Sequence, residues 1–161
     1  MLNDVLAHGL KLVVCGTAAG AISASLGQYY AGPGNKFWNI LSEVGITPRR
    51  LEPREFRKLL TYGVGLTDVA KGQAGNDVSI DFTRSDPIGL REKILKYRPD
   101  VLAFNGKKSA QVFLGQRRVD YGLQFEVVGN TRLFVASSTS GAASKYWNAE
   151  IWSTLAELTR R

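Results

Sequence analysis

Histidine and cysteine are almost missing from this chain, which has one of each, His8 and Cys15. No histidine-based catalytic triad is credible, and the usual zinc sites, which draw on several Cys and His side chains, cannot be assembled. A lone cysteine forms no intrachain disulfide, which fits a reducing cytoplasm. Cys15 sits inside an apolar run and reads as a small buried hydrophobe rather than a nucleophile. His8 precedes that run and reads as an exposed or capping residue. No apolar stretch reaches the length of a membrane span. The first residues, MLNDVLAHGLK, place an Asp before their only Lys and do not read as a secretory signal. Neither GxGxxG nor GxxxxGK[ST] occurs, so neither a dinucleotide fold nor a P-loop is supported. No metal and no cofactor is expected.

Acidic residues are also few, 14 against 21 Lys and Arg, for a formal net charge of +7 and a pI near 9.7. An anionic partner is expected, nucleic acid first and an acidic membrane surface second. The positive charge is spread over Arg49, Arg50, Arg54, Arg57 and Lys58, then Lys107 and Lys108, Arg117 and Arg118, and Arg160 and Arg161. It forms no tail or stripe. The 161 residues, 44% hydrophobic and 22% charged, suit one globular domain over 1–161.

What is present alternates in type along the chain. Leu12–Cys15 reads as a buried strand, followed by a loop of small residues from Thr17 to Ala24. Asn35–Val44 has Phe37, Trp38, Leu41 and Val44 on one helical face, with Asn35 as N-cap and Gly45 as terminator. Pro53–Tyr62 is a second helix. Residues 63–69 read as a short strand, and Lys71–Asp77 as a mobile turn. Helices are expected at Pro87–Tyr97, with Leu90, Ile94 and Leu95 inward, and at Lys107–Leu114. Strands are expected at Asp100–Asn105, Phe125–Val128 and Thr131–Ala136. Tyr146–Leu158 closes the chain as a helix. This order predicts an α/β fold, a three-layer α/β/α sandwich around a mainly parallel sheet.

Ligands of such folds bind beyond the carboxyl ends of the strands. Four predicted strand ends carry small or polar residues: Gly16-Thr17, Thr67-Asp68, Asn105-Gly106 and Ser137 to Gly141. They should converge on one site. Beside them stands a dense aromatic segment with Tyr29, Tyr30, Phe37 and Trp38. Together these offer a stacking surface, backbone donors, two amides (Asn35, Asn105) and one carboxylate (Asp68). An Asn side chain, donor and acceptor at once, can read a pyrimidine's imide edge. Backbone N–H groups of Thr17 and Ala18 could hold a carbonyl oxygen as it gains charge. With a basic surface, such a pocket suits a base taken out of the DNA stack.

The residues Tyr30-Ala31-Gly32-Pro33-Gly34-Asn35-Lys36-Phe37-Trp38 resemble the aromatic–Ala–x–Pro–x–Asn–Arg–Phe–Trp segment of the mismatch-specific uracil/thymine-DNA glycosylases, within the uracil-DNA glycosylase superfamily. The resemblance runs from Leu6 to about Ala70 and returns at Asp100–Ala110 and Leu133–Gly141. It implies a monofunctional hydrolase of base excision repair. Its substrate would be DNA containing uracil or another deaminated base. The flipped base would stack on Tyr30 and leave as an anion, and water would add to the sugar. Gly16, Thr17, Ala18 and Asn105, the polar strand-end groups, would then surround the base, and the resemblance adds Tyr30 as the stacking ring and Ser23 where a methyl group is admitted or refused. It sets the loop with Ser138, Ser140, Gly141 and Ala142 along the DNA backbone. Lys107, opening a helix beside the site, is expected at a phosphate. A single chain suffices, so a cytoplasmic monomer is expected.

Two departures from the family pattern stand out. Its first motif, Gly-Ile-Asn-Pro-Gly, is Gly16-Thr17-Ala18-Ala19-Gly20 here, so Ala18 replaces the amide that positions water. Its second motif, Asn-Pro-Ser-Gly-Leu-Ser, is Ser138 to Ala143 here, so the wedge Leu is Ala142. If the protein is catalytic, Asp68 is the first expected handler of the water and Asn35 the second. Each has a plainer reading: a cap or lysine partner for Asp68, an N-cap for Asn35, a turn residue for Asn105, a core aromatic for Tyr30. For Ser138 and Ser140 it is turn formation, and for Lys107 and Lys108 a solvated face. Ala18 also keeps open a non-catalytic binder of damaged DNA, and the small Ala18 and Ala19 keep open a larger base such as hypoxanthine.

Overall fold

The computed structural model describes residues 2–161. Five strands, β1 (Leu12–Gly16), β2 (Val64–Asp68), β3 (Val101–Asn105), β4 (Gly122–Val128) and β5 (Thr131–Ala136), form one sheet in the order β2-β1-β3-β5-β4. All neighbours are parallel except β4, which returns antiparallel to β5 through Gly129 and Asn130. The three central strands and β2 are apolar runs because helices cover both of their faces. The α/β/α sandwich expected from the sequence is the observed architecture.

Alternation along the strands divides the core in two. Leu12, Val14, Val64, Leu66, Val101, Ala103, Phe134 and Ala136 point to one side. There they meet α2 (Phe37–Glu43), the 3-10 segment Pro53–Tyr62 and α5 (Ala149–Leu158), whose Trp152 is fully buried. Val13, Cys15, Leu102, Phe104, Leu133 and Val135 point to the other, against α3 (Pro87–Tyr97) and α4 (Lys107–Leu114). Cys15 is buried as expected. The N-terminal segment bonds to the outer edge of β2, Val5 exchanging both backbone hydrogen bonds with Leu66 (2.9 and 2.8 Å). That edge is therefore covered.

Several expectations need correction. Residues 21–26 are not loop: Ala21–Leu26 forms α1, ended by Gly27 in the left-handed region (φ 66°). The N-cap of α2 is Lys36, and Asn35 instead accepts from the Phe37 N–H (3.0 Å) in a turn. The closing helix starts at Ala149, because Asn148 caps it through the Glu150 N–H. Gly141–Tyr146 is a separate 3-10 turn. Leu95, expected inward on α3, is half exposed. The 71–77 turn is tied to its neighbours by hydrogen bonds. Gly75 N–H donates to Ala19 O (2.9 Å), and Gln73 makes two side-chain bonds with the Asp81 backbone.

Candidate active site

Strand register sets three positions side by side. Gly16 pairs with Asp68 on β2, and Asn105 pairs with Ala136 on β5 while its strand neighbours β1. Position 68 continues the side of Val64 and Leu66, and position 105 that of Val101 and Ala103, so Asp68, Gly16 and Asn105 form a row on one sheet face. A Cβ at Gly16 would stand 2.8 Å from Asp68 Oδ1 and 3.2 Å from the Tyr30 hydroxyl. The absence of a side chain there lets a carboxylate and a phenol approach the same patch of backbone.

Tyr30 is held in the left-handed region (φ 53°), which it shares, among the described non-glycine residues, only with Arg98. Such strain in a bulky residue persists only where its surroundings enforce it. Its ring lies on Phe37, centroids 4.1 Å apart, in a partly stacked arrangement. Its hydroxyl is buried and makes no hydrogen bond of normal geometry, with the Asn105 amide as its neighbour. Burial, with the nearby Asp68 charge, holds the phenol pKa well above its ordinary value, so it stays protonated. Tyr29, by contrast, is core: it is buried, its hydroxyl donates to Asn3 O (2.9 Å), and its carbonyl accepts from the Trp38 indole (3.1 Å).

Asp68 is buried, and burial raises its pKa. Lys71 opposes that rise, Asp4 adds to it, and a bond from the Gly16 backbone opposes it. Lys71 Nζ lies 3.6 Å from Asp68 Oδ2 and 2.8 Å from Asp4 Oδ1, and donates to Tyr29 Oη (3.0 Å) and Leu2 O (3.1 Å). Asp4 in turn holds Lys93 (2.6 Å) and accepts from the Thr67 hydroxyl (2.8 Å). Burial works against its charge, yet its two lysines prevail and keep its pKa low. A carboxylate with a raised pKa, beside an ammonium that keeps it ionisable, is suited to take a proton. Sequence reasoning gave Asp68 a lysine partner as its plainer role, which Lys71 fills, but missed the rest of this network. The spacing of Asp68 and Lys71 was its only local signal, since Asp4 arrives from the far end of the chain.

Asn105 is committed to the loop after β5. Its Oδ1 accepts from the Thr139 N–H (3.0 Å), and its Nδ2 donates to Thr139 Oγ1 (2.9 Å). Its second amide hydrogen lies beside the Tyr30 hydroxyl. Gly106 follows with φ 102°, and a Cβ there would meet Ser138 at 3.2 Å. The loop also docks on the aromatic segment: Lys36 N–H donates to Thr139 O (2.9 Å), Lys36 Nζ to Ser144 Oγ (2.9 Å), and Gly34 packs on Gly141. Ser138 and Ser140 bond within the loop, Ser140 Oγ capping the turn that carries exposed Ala142.

The remaining predicted residues surround this row. Thr17 donates to Asp77 Oδ1 (2.8 Å), which closes the 71–77 turn over the segment bearing Ala18. Ala18 is half-buried and offers only a methyl group. Ser23 is buried with its Oγ accepting from the Ala31 N–H (2.9 Å), so it braces the aromatic segment. Asn35 keeps its amide N–H groups but lends its oxygen to Phe37. Lys107 is exposed at the start of α4, its ammonium 4.5 Å from the centre of the Tyr121 ring. The structure thus brings together Asp68, Gly16, Tyr30 and Asn105. Two surface hollows, walled by Arg54–Lys58 and by the outer face of α4, involve none of these residues.

The architecture has a known counterpart. A solution NMR structure of a protein from Methanosarcina acetivorans, described as a candidate uracil DNA glycosylase, superposes with a TM-score of 0.65. The match covers 99% of this chain and 97% of that one at 21% identity, a likeness of fold. No helix among the described residues is long and apolar enough to cross a membrane. The family model for the uracil DNA glycosylase superfamily matches residues 4–158, nearly the whole chain that builds this row of strand ends. By that match, which supports a DNA glycosylase role, the chain belongs to the uracil DNA glycosylase superfamily.

Proposed function

We propose that the protein is a monofunctional DNA glycosylase that removes uracil, in the manner of the mismatch-specific branch but with a relocated water handler. The observation that carries this reading is the buried Asp68 carboxylate beside Gly16 and Lys71. In this reading the target nucleotide leaves the stack and its base lies along the exposed part of Tyr30. The bond from the base nitrogen to C1′ breaks, and the base departs with the electron pair as an anion. Water adds its oxygen to C1′, and Asp68 takes the proton. Lys71 favours the ionised form of Asp68 against the effect of burial. A positioned base of this kind contributes on the order of 10²–10⁴-fold, which offsets the missing amide at Ala18.

The loop from Ser138 to Ala142 would track the DNA backbone, and Lys107 would meet a phosphate. With only Ala142 at the tip, the gap left by the base is filled weakly. A second substrate, a deaminated purine such as hypoxanthine, is favoured by the methyl-only side chains of Ala18 and Ala19. We further read the protein as acting as a cytoplasmic monomer. The test is base release from oligonucleotides carrying uracil, thymine opposite guanine, hypoxanthine or xanthine. Release of uracil supports the lead reading, and release of hypoxanthine alone supports the second. DNA binding without any release would replace both with a binding module.

A further inference from the structure

Among the described residues the Tyr30 hydroxyl is the one buried side-chain polar atom that makes no hydrogen bond of normal geometry, although the Asn105 amide lies beside it. Buried hydroxyls are nearly always paired, so an orphan calls for an explanation in water or ligand. It approaches the same point above Gly16 as Asp68 Oδ1, 3.2 against 2.8 Å, yet the two make no hydrogen bond with each other. Two oxygens so placed can share one bridging water. We propose that the Tyr30 hydroxyl and the Asp68 carboxylate together hold the hydrolytic water above Gly16, doing the work of the amide that residue 18 lacks. The inference rests on the glycosylase reading above.

The geometry gives each oxygen a part. Water donates one hydrogen to Asp68 Oδ1 and the other to Tyr30 Oη, which frees a lone pair toward C1′. As the water O–C1′ bond forms, the first proton passes to Asp68 and the second stays on the product hydroxyl. Tyr30 keeps its own proton throughout. The left-handed backbone at Tyr30 aims the phenol inward, and Phe37 fixes the ring plane. A stacking role alone needs the ring and not the oxygen; a phenylalanine would serve it without burying an orphan hydroxyl.

Tyr30→Phe keeps the ring and removes the oxygen. In single-turnover excision of the base that the wild type removes, the variant should be slower by about 10- to 100-fold, the worth of one hydrogen bond to a charge-developing group. DNA affinity should stay unchanged. In the Asp68→Asn background, Tyr30→Phe should cost little more, because both act on one water. Equal rates for Tyr30→Phe and wild type, or fully additive losses, would overturn the proposal. If the wild type releases no base at all, the glycosylase reading fails first, and the inference with it. A crystal structure of the free wild-type protein gives a test without activity. A water within hydrogen-bond distance of both Asp68 Oδ1 and Tyr30 Oη supports the proposal, and its absence there overturns it.

Discussion

Gly16 and Asp68 are register partners at the carboxyl ends of β1 and β2, and Asp68 Oδ1 lies 2.8 Å from where a Cβ on residue 16 would stand. The carboxylate is thereby folded over bare backbone at the strand ends, where parallel α/β sheets bind their ligands. It is buried, faces the Lys71 ammonium at 3.6 Å, and shares its surroundings with a phenol. This is a costly arrangement for a purely structural residue and a useful one for a base.

Gly16→Ala tests that relationship directly. The new methyl group must push back both Asp68 and Tyr30. A loss of about 1–3 kcal/mol is expected from overpacking, together with a base-release rate reduced at least as much as by Asp68→Asn. Thermal denaturation and single-turnover assays measure the two effects.

Asp68→Asn should not weaken the fold at neutral pH. The folded-state pKa of Asp68 is raised above its unfolded value. Its contribution to stability is therefore full below the unfolded pKa and is lost as pH rises through the folded one. At pH 7 the ionised group is a burden that Asn lacks. Lys71 keeps Asp4 at 2.8 Å. The expected result is a higher Tm at pH 7 that shrinks on acidification. A large loss at pH 7 would point to a structural carboxylate.

The rate of base release should rise with pH as Asp68 loses its proton. The groups that act on it are Lys71, Asp4 and the Gly16 backbone N–H, while its own charge raises the pKa of Tyr30, Tyr29 and Cys15 beside it. Lys71 is the one that lowers its pKa by charge. Lys71→Met should move the acid limb of the pH–rate profile to higher pH. An unmoved limb would separate Lys71 from the chemistry.

Asn105→Ala removes both bonds to Thr139 and leaves the Thr139 N–H buried without its acceptor. Such an orphan costs about 1–3 kcal/mol. Faster amide hydrogen exchange over residues 137–142, with a lower Tm, is the expected result.

Lys107 is exposed where α4 begins, beside Gly106. If it meets one phosphate, Lys107→Ala should reduce the slope of log affinity against log salt by about 0.9. Fluorescence anisotropy at several salt concentrations reads this, and an unchanged slope would assign Lys107 to a solvated face.

Much of this was legible in the residues. Apolar runs ending in Gly, Asp or Asn marked β1, β2 and β3, because strands covered on both faces show no alternation and stop where polar side chains begin. The row of Asp68, Gly16 and Asn105 follows from those endings once register is known. Register itself was not legible, and neither was Asp4, since contacts across 60 residues leave no local pattern. α1 was hidden because Ala, Ser and Gly around 17–27 read as loop, while the helix is set by a glycine cap and by Ser23 anchoring Ala31. The strain at Tyr30 has no signature in composition at all.

The central claim is that Asp68 handles the water that Ala18 cannot. Single-turnover excision of uracil from a duplex, by wild type and by Asp68→Asn at pH 7.5 or so, tests it most directly. The account predicts cutting by the wild type and a rate lower by about 10²–10⁴-fold in the variant, with DNA affinity unchanged. Equal rates in the two proteins would contradict it and move the search for the base elsewhere in the site.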